Sequence, residues 1–161
     1  MENIITGRAF VFGDNIDTDQ IYPGRYLELV DPEEIKEHCL EGADEEFAKK
    51  VRPNDIVVAG RNFGCGSSRE HAAITLKSAG VGVVLADSFA RIFFRNATNL
   101  GLPLITCKGI SERVKTGDIL EVHLKEGLII NKTTGEEIEG EKISDYIFNI
   151  LEKGGIKNMY K

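Results

Sequence analysis

The chain has 161 residues, 42% of them hydrophobic, which is enough to bury the core of one ordinary domain spanning 1–161. A formal net charge of -6, with the acid excess spread along the chain and no continuous stripe of Lys and Arg, argues against a nucleic-acid surface. No run of about eighteen apolar residues occurs, and the N-terminus MENIITGRAF has neither a basic n-region nor an apolar h-region, so a cytoplasmic protein with no membrane partner is expected.

In chain order, Gly7–Phe12 (GRAFVF) reads as a strand and Gly13–Pro23 (GDNIDTDQIYP) as a polar, turn-rich loop. Asp31–Gly42 (DPEEIKEHCLEG) reads as a helix, with Asp31 as its cap, Pro32 at the first helical position and acids in the first turn. Asp55–Gly60 (DIVVAG) is β-branched and apolar and predicts a buried strand, after which Ala72, Ala73, Leu76 and Ala79 recur at helical spacing. Gly82–Ala86 predicts a strand, Ser88–Leu100 (SFARIFFRNATNL) a helix, and Leu104–Thr106 a short strand. Beyond Lys108 the character changes: Asp118–Leu124 and Leu128–Asn131 read as strands about the turn Lys125-Glu126-Gly127, and Thr134-Gly135 marks another turn. A last helix is expected over Ser144–Lys153, ended by Gly154-Gly155. The pattern predicts an α/β domain whose central sheet is mainly parallel in the middle and β-rich toward the end.

The chemistry concentrates between the DIVVAG strand and the helix after it, in RNFGCGSSREHAAITLK. Ser67 and Ser68 are expected at or near a helix N-cap, where the first backbone N–H groups lack partners and carry the positive end of the dipole. Serine caps helices for structural reasons alone. The glycine-lined approach, two hydroxyls and the guanidinium of Arg69 together also make a site for a carboxylate or phosphate. The three cysteines, Cys39, Cys65 and Cys107, are far apart and form no C-x-x-C pair, which suits a reducing compartment and predicts no metal or iron–sulfur site on this chain. Cys65 with His71 as its base is the weaker catalytic reading, since a histidine so placed more often packs or hydrogen-bonds. A P-loop is not present, because GCGSSRE lacks the Lys-Ser/Thr pair.

GDNIDTDQIYPGRYL, AGRNFGCGSSREHAA and ADSFARIFFRNATNLGLPLI, in that order and spacing, resemble the small subunits of 3-isopropylmalate dehydratase and, more broadly, the swivelling domain of the aconitase superfamily. The resemblance implies a swivelling β/β/α domain that docks onto a separate large subunit carrying a [4Fe–4S] cluster. It implies a hydro-lyase of leucine biosynthesis, acting on a small hydroxy-dicarboxylic acid: a base removes a proton next to a carboxylate while the cluster iron polarises the departing hydroxyl. Residue by residue, Ser67 matches the catalytic serine base, Arg69 a carboxylate-binding arginine, Ser68 a substrate-holding serine, and Thr18 and Asp19 an active-site pair that orients them. An Asx-type turn is the structural alternative for Asp19. The tricarboxylate members carry an arginine in the segment that follows, whereas this chain has Leu27, Glu28, Leu29 and Val30 there, with Arg25 too early to match. An apolar segment disfavours an unpaired carboxylate, so a branched alkyl substrate such as isopropylmalate is expected, with homoaconitase and a dimethylmalate- or methylmalate-type dehydratase as alternatives. A non-catalytic carboxylate- or phosphate-binding module is the alternative of another class.

Overall fold

The computed structural model describes residues 3–160. Strand β1 runs Ile4–Val11, starting earlier than GRAFVF suggests because Ile4 to Arg8 pair with an antiparallel neighbour. The segment read as a loop contains a one-turn helix α1, Thr18–Ile21, closed by a reciprocal capping box between Asp17 and Gln20. A 3₁₀ turn follows at Gly24–Tyr26. Asp31 caps helix α2, Pro32–Ile35, its side chain accepting from the Glu33 N–H as the Asp-Pro start predicts. The helix does not continue to Gly42. It tightens to 3₁₀ over Lys36–His38, and the Leu40 N–H then bonds to the Ile21 carbonyl, drawing the chain back over α1.

Helix α3, Phe47–Lys50, is a single turn that sets Phe47 edge-on to Phe10, ring centroids 5.0 Å apart. The alternation that follows is β2 (Ile56–Ala59), α4 (Glu70–Ser78), β3 (Val83–Ala86), α5 (Arg91–Leu100), β4 (Leu104–Thr106) and α6 (Ile110–Arg113). Helix α5 starts later than Ser88, because that hydroxyl accepts from the Asn62 N–H at 2.8 Å instead of capping the helix. The chain ends with β5 (Ile119–His123), β6 (Leu128–Asn131), β7 (Glu137–Glu139) and α7 (Asp145–Glu152), the last close to the expected Ser144–Lys153 and capped by Ser144. The sequence reading missed α1, α3, α6 and β7, all of three or four residues, too short for a periodicity to declare itself.

Among the described residues the strands form one seven-stranded sheet in the order β4-β3-β2-β1-β5-β6-β7. Pairings from β1 to β4 are parallel, and those of β5 to β1 and through to β7 are antiparallel. This is the α/β swivelling architecture, with the β-rich segment added to the free side of β1. Every residue of β2 and β3 is buried, as expected for parallel strands covered on both faces. Val57, Ala59, Val84 and Ala86 pack against Ala72, Leu76, Phe93 and Ala97 of α4 and α5. Their alternate neighbours, Ile56, Val58, Val83 and Leu85, join Ile110 of α6 and Leu120, Val122, Ile129 and Ile138, so the antiparallel half curls over the opposite face. At the foot of the sheet, buried Asp55 ties β1 to β2 by accepting from the Arg8 N–H, Nε and Nη2 and from the Arg52 N–H. No helix among the described residues is long and apolar enough to cross a membrane.

Candidate active site

Three loops leave the carboxyl ends of β1, β2 and β3 side by side, the edge at which open α/β sheets place their ligand crevices. Backbone hydrogen bonds knit them together. The Asn15 N–H donates to the Arg61 carbonyl, Gly64 to Ile16, Thr18 to Cys65, Phe63 to Ser88, and Ala90 to Phe63. The β2–α4 loop can run this close only because of its glycines. Gly64 has φ +85°, and a Cβ there would overlap the ring of Phe93; Gly66 has φ +102°, and a Cβ would sit 3.2 Å from Thr18 Oγ1.

The result brings together four residues that lie about fifty positions apart. Thr18 Oγ1 is 3.2 Å from Ser67 Oγ, within hydrogen-bond reach, and Thr18 is buried while Ser67 is open to solvent. Asp19 Oδ1 accepts from Arg69 Nη1 at 3.0 Å and from the Gly24 N–H at 2.8 Å. That Gly24 bond, followed by the Arg69 pair, holds the Asp19 carboxyl below its ordinary range. The Asx role weighed for Asp19 falls instead to its neighbour Asp17, whose side chain caps α1. Asp19 thus reaches across to Arg69, engaging one nitrogen of the guanidinium fork.

The serines are near the helix cap but not at it. Arg69 itself is the N-cap residue of α4, with Ser67 and Ser68 exposed just ahead of it, and no side chain caps the first turn. The leading N–H groups of α4 therefore remain open toward the loop that carries Ser67 and Ser68. A cleft of about 770 Å³ opens beside Ser67, lined also by Asn62, Gly64, Gly66, Phe89 and the start of α5 with Arg91 and Arg95. Sequence reading passed over these two arginines. For Arg91 the available signal was its place at the head of a helix, where the dipole opposes a cation; Arg95, one turn further on, carried no such signal.

Leu27, Glu28, Leu29 and Val30 do not line that cleft. They follow the 3₁₀ turn Gly24–Tyr26, with Val30 86% and Leu27 37% exposed. His71 does not face Cys65 as a base would; its Nε2 lies 3.2 Å from the Leu29 carbonyl, and its ring stacks on Tyr22 with centroids 5.3 Å apart. The cysteines do not fit an iron–sulfur cluster. Cys39 and Cys107 lie in the cores on opposite sheet faces, and burial pushes their thiols up to about 12 and about 11, keeping them protonated. Among the described residues no three His, Cys, Asp or Glu side chains gather as a metal-ligand set.

A mixed sheet with a Gly-Ser-Ser-Arg loop at its parallel edge is the C-terminal domain of the aconitase class: residues 8–109 match the family described as the aconitase C-terminal domain, and the chain belongs to that family. Within it, the chain is similar along its whole length to small subunits of dehydratases and isomerases. It is 56% identical over 161 residues, 100% of this chain and 95% of the relative, to 3-isopropylmalate dehydratase small subunit 1 of Methanopyrus kandleri. It is 58% identical, over 97% of this chain and 93% of the relative, to the isopropylmalate/citramalate isomerase small subunit of Methanocaldococcus jannaschii. It is 52% identical, over 99% and 92%, to the methanogen homoaconitase small subunit of Methanothermobacter thermautotrophicus. The crystal structure of 3-isopropylmalate dehydratase from Methanocaldococcus jannaschii superposes with a TM-score of 0.93 at 47% identity, covering 98% of this chain and 93% of that one.

Proposed function

We propose that this chain is the small subunit of a hydro-lyase that interconverts 2-isopropylmalate and 3-isopropylmalate by dehydration and rehydration, active only with a large subunit. In this reading the [4Fe–4S] cluster belongs to the large subunit, the assembly is cytoplasmic, and 1–161 acts as one swivelling domain. Ser67 takes the proton from the carbon next to a carboxylate. A serine hydroxyl is a weak base, and its alkoxide gains from the Thr18 hydroxyl at 3.2 Å, the open N–H groups of α4 and the nearby guanidinium of Arg69. Arg69 and Ser68 hold a carboxylate common to all substrates of the family, with Asp19 fixing the fork in place. Leu27 to Val30 select the third substituent. The absence of an arginine from that segment favours the branched alkyl substrate over the tricarboxylate of a homoaconitase, although one relative bears that name.

The observation that carries the reading is the pairing of Thr18 with Ser67 and of Asp19 with Arg69 across two loops, with Ser67 in the wall of a cleft. The test is isomerisation of isopropylmalate by the chain assembled with a large subunit. Ser67→Ala is expected to lower turnover by at least ~10²-fold without loss of assembly. Turnover near that of the wild type would place the base elsewhere, and an assembled pair inert on every hydroxy acid would favour a binding module.

A further inference from the structure

In the segment Leu27 to Val30 all but the half-buried Leu29 are exposed, yet its backbone is held at two points. The Tyr22 hydroxyl donates to the Tyr26 carbonyl at 2.6 Å, and the same carbonyl accepts from the Leu29 N–H at 3.1 Å. His71 Nε2 lies 3.2 Å from the Leu29 carbonyl. A carbonyl oxygen only accepts, so Nε2 carries the proton in this contact. The two anchoring rings are themselves one unit, stacked at 19° with Tyr22 fully buried. Around them Tyr26 stacks on His38 at 3.5 Å and donates its hydroxyl to Glu41, which also pairs with Arg25 and His38. The backbone of the segment is thus fixed while the side chains of Leu27, Glu28 and Val30 face solvent. His71 sits in the first turn of α4, two residues after Arg69, so one helix end carries both the carboxylate-binding fork and the tie to the segment.

We infer that His71 and Tyr22 are positioning residues for substrate selection: through the Leu29 and Tyr26 carbonyls they set where the side chains of Leu27 to Val30 stand relative to Arg69. This rests on the reading of that segment as the part of the chain that chooses among substrates. A purely structural pair would affect all substrates alike. A positioning pair changes the preference among them, because a shift of the segment leaves the common carboxylate contact untouched and moves the discriminating one.

The experiment compares kcat/KM for isopropylmalate with that for a homologous tricarboxylate in the assembled two-subunit enzyme, for wild type, His71→Phe, His71→Gln, Tyr22→Phe and Leu29→Arg. His71→Phe retains a ring to stack on Tyr22 and loses the donor, and Tyr22→Phe retains the ring and loses the hydroxyl. Each is expected to lower the ratio about three- to tenfold, the worth of one hydrogen bond expressed as a preference. His71→Gln keeps an N–H donor and is expected to hold the ratio near that of the wild type. If Leu29→Arg moves the ratio while His71→Phe and Tyr22→Phe leave it unchanged, the anchoring role is overturned and the reading of the segment stands. A ratio lowered equally by His71→Phe and His71→Gln overturns the hydrogen bond as its cause. If Leu29→Arg leaves the ratio unchanged, the reading of the segment itself fails, and the inference with it.

Discussion

Replacing Thr18 by Val tests whether the buried threonine prepares Ser67 for proton abstraction. The two side chains are nearly the same shape, and Thr18 is 3% exposed, so packing is retained while one hydrogen bond is removed. Ser67 is exposed, and water can replace the lost partner, so no polar atom is left buried and stability is expected to change by less than about 1 kcal/mol. For the reaction, the lost bond to the serine alkoxide is one to a charged group, worth about 1.5–3 kcal/mol, which lowers kcat roughly ten- to 150-fold if the bond acts mainly in the transition state. KM is expected to stay within about twofold, because the proposed function gives the holding of the substrate to Arg69 and Ser68 and not to Thr18. The decisive form is a double-mutant cycle in the assembled enzyme with Thr18→Val, Ser67→Ala and both together. With Ser67 absent the threonine has no base to prepare, so the second substitution is expected to add nothing. If Thr18→Val lowers kcat by the same factor in the Ser67→Ala background, the two residues act independently and the 3.2 Å contact is incidental to catalysis.

Arg69→Lys keeps the charge but loses the planar fork shared with Asp19, and is expected to weaken kcat/KM for every substrate by about 1.5–3 kcal/mol; a loss confined to one substrate would transfer the selecting role to this residue. Gly64→Ala combines left-handed backbone, at about 1–2 kcal/mol, with a methyl group driven into Phe93, so a lowered thermal midpoint is expected, and an unchanged one would refute the close approach of the loop to α5. For Asp55, burial pushes the carboxyl up, but the Arg8 side chain and the Arg52 and Arg8 N–H groups outweigh it and leave it below its ordinary value. Its contribution is therefore full above the unfolded value of about 3.9 and is lost as pH falls through the lower folded value. Asp55→Asn is expected to lower the urea midpoint at neutral pH, with the gap to wild type closing below about pH 4; a gap constant with pH would assign the effect to geometry alone.

The amino-acid order by itself determined the layers of this protein. DIVVAG and GVVLA are long enough in apolar residues, and sharply enough bounded by glycine, to specify parallel strands buried on both faces. Asp31-Pro32 and Ser144 specify helix starts because a cap is a contact between residues two or three apart. The GSSRE stretch marked the candidate site, since a small-residue turn entering a helix is itself a local feature. Tertiary structure decided what each of those residues touches. Ser67 proved to be the partner of Thr18 and not a helix cap, and Asp19 the partner of Arg69 and not a turn former, because loops about fifty residues apart are zipped together by backbone hydrogen bonds. The helix expected from Ser88 begins only at Arg91, with the Ser88 hydroxyl taken up by the Asn62 N–H on a neighbouring loop. The predicted helix from Asp31 was cut short by the bond from Leu40 to Ile21, and His71 was drawn to the Leu29 carbonyl 42 positions away. These are choices among partners that several side chains could satisfy equally well in an isolated stretch. Only the packing of the sheet, which fixes the three loops side by side, leaves one partner within reach.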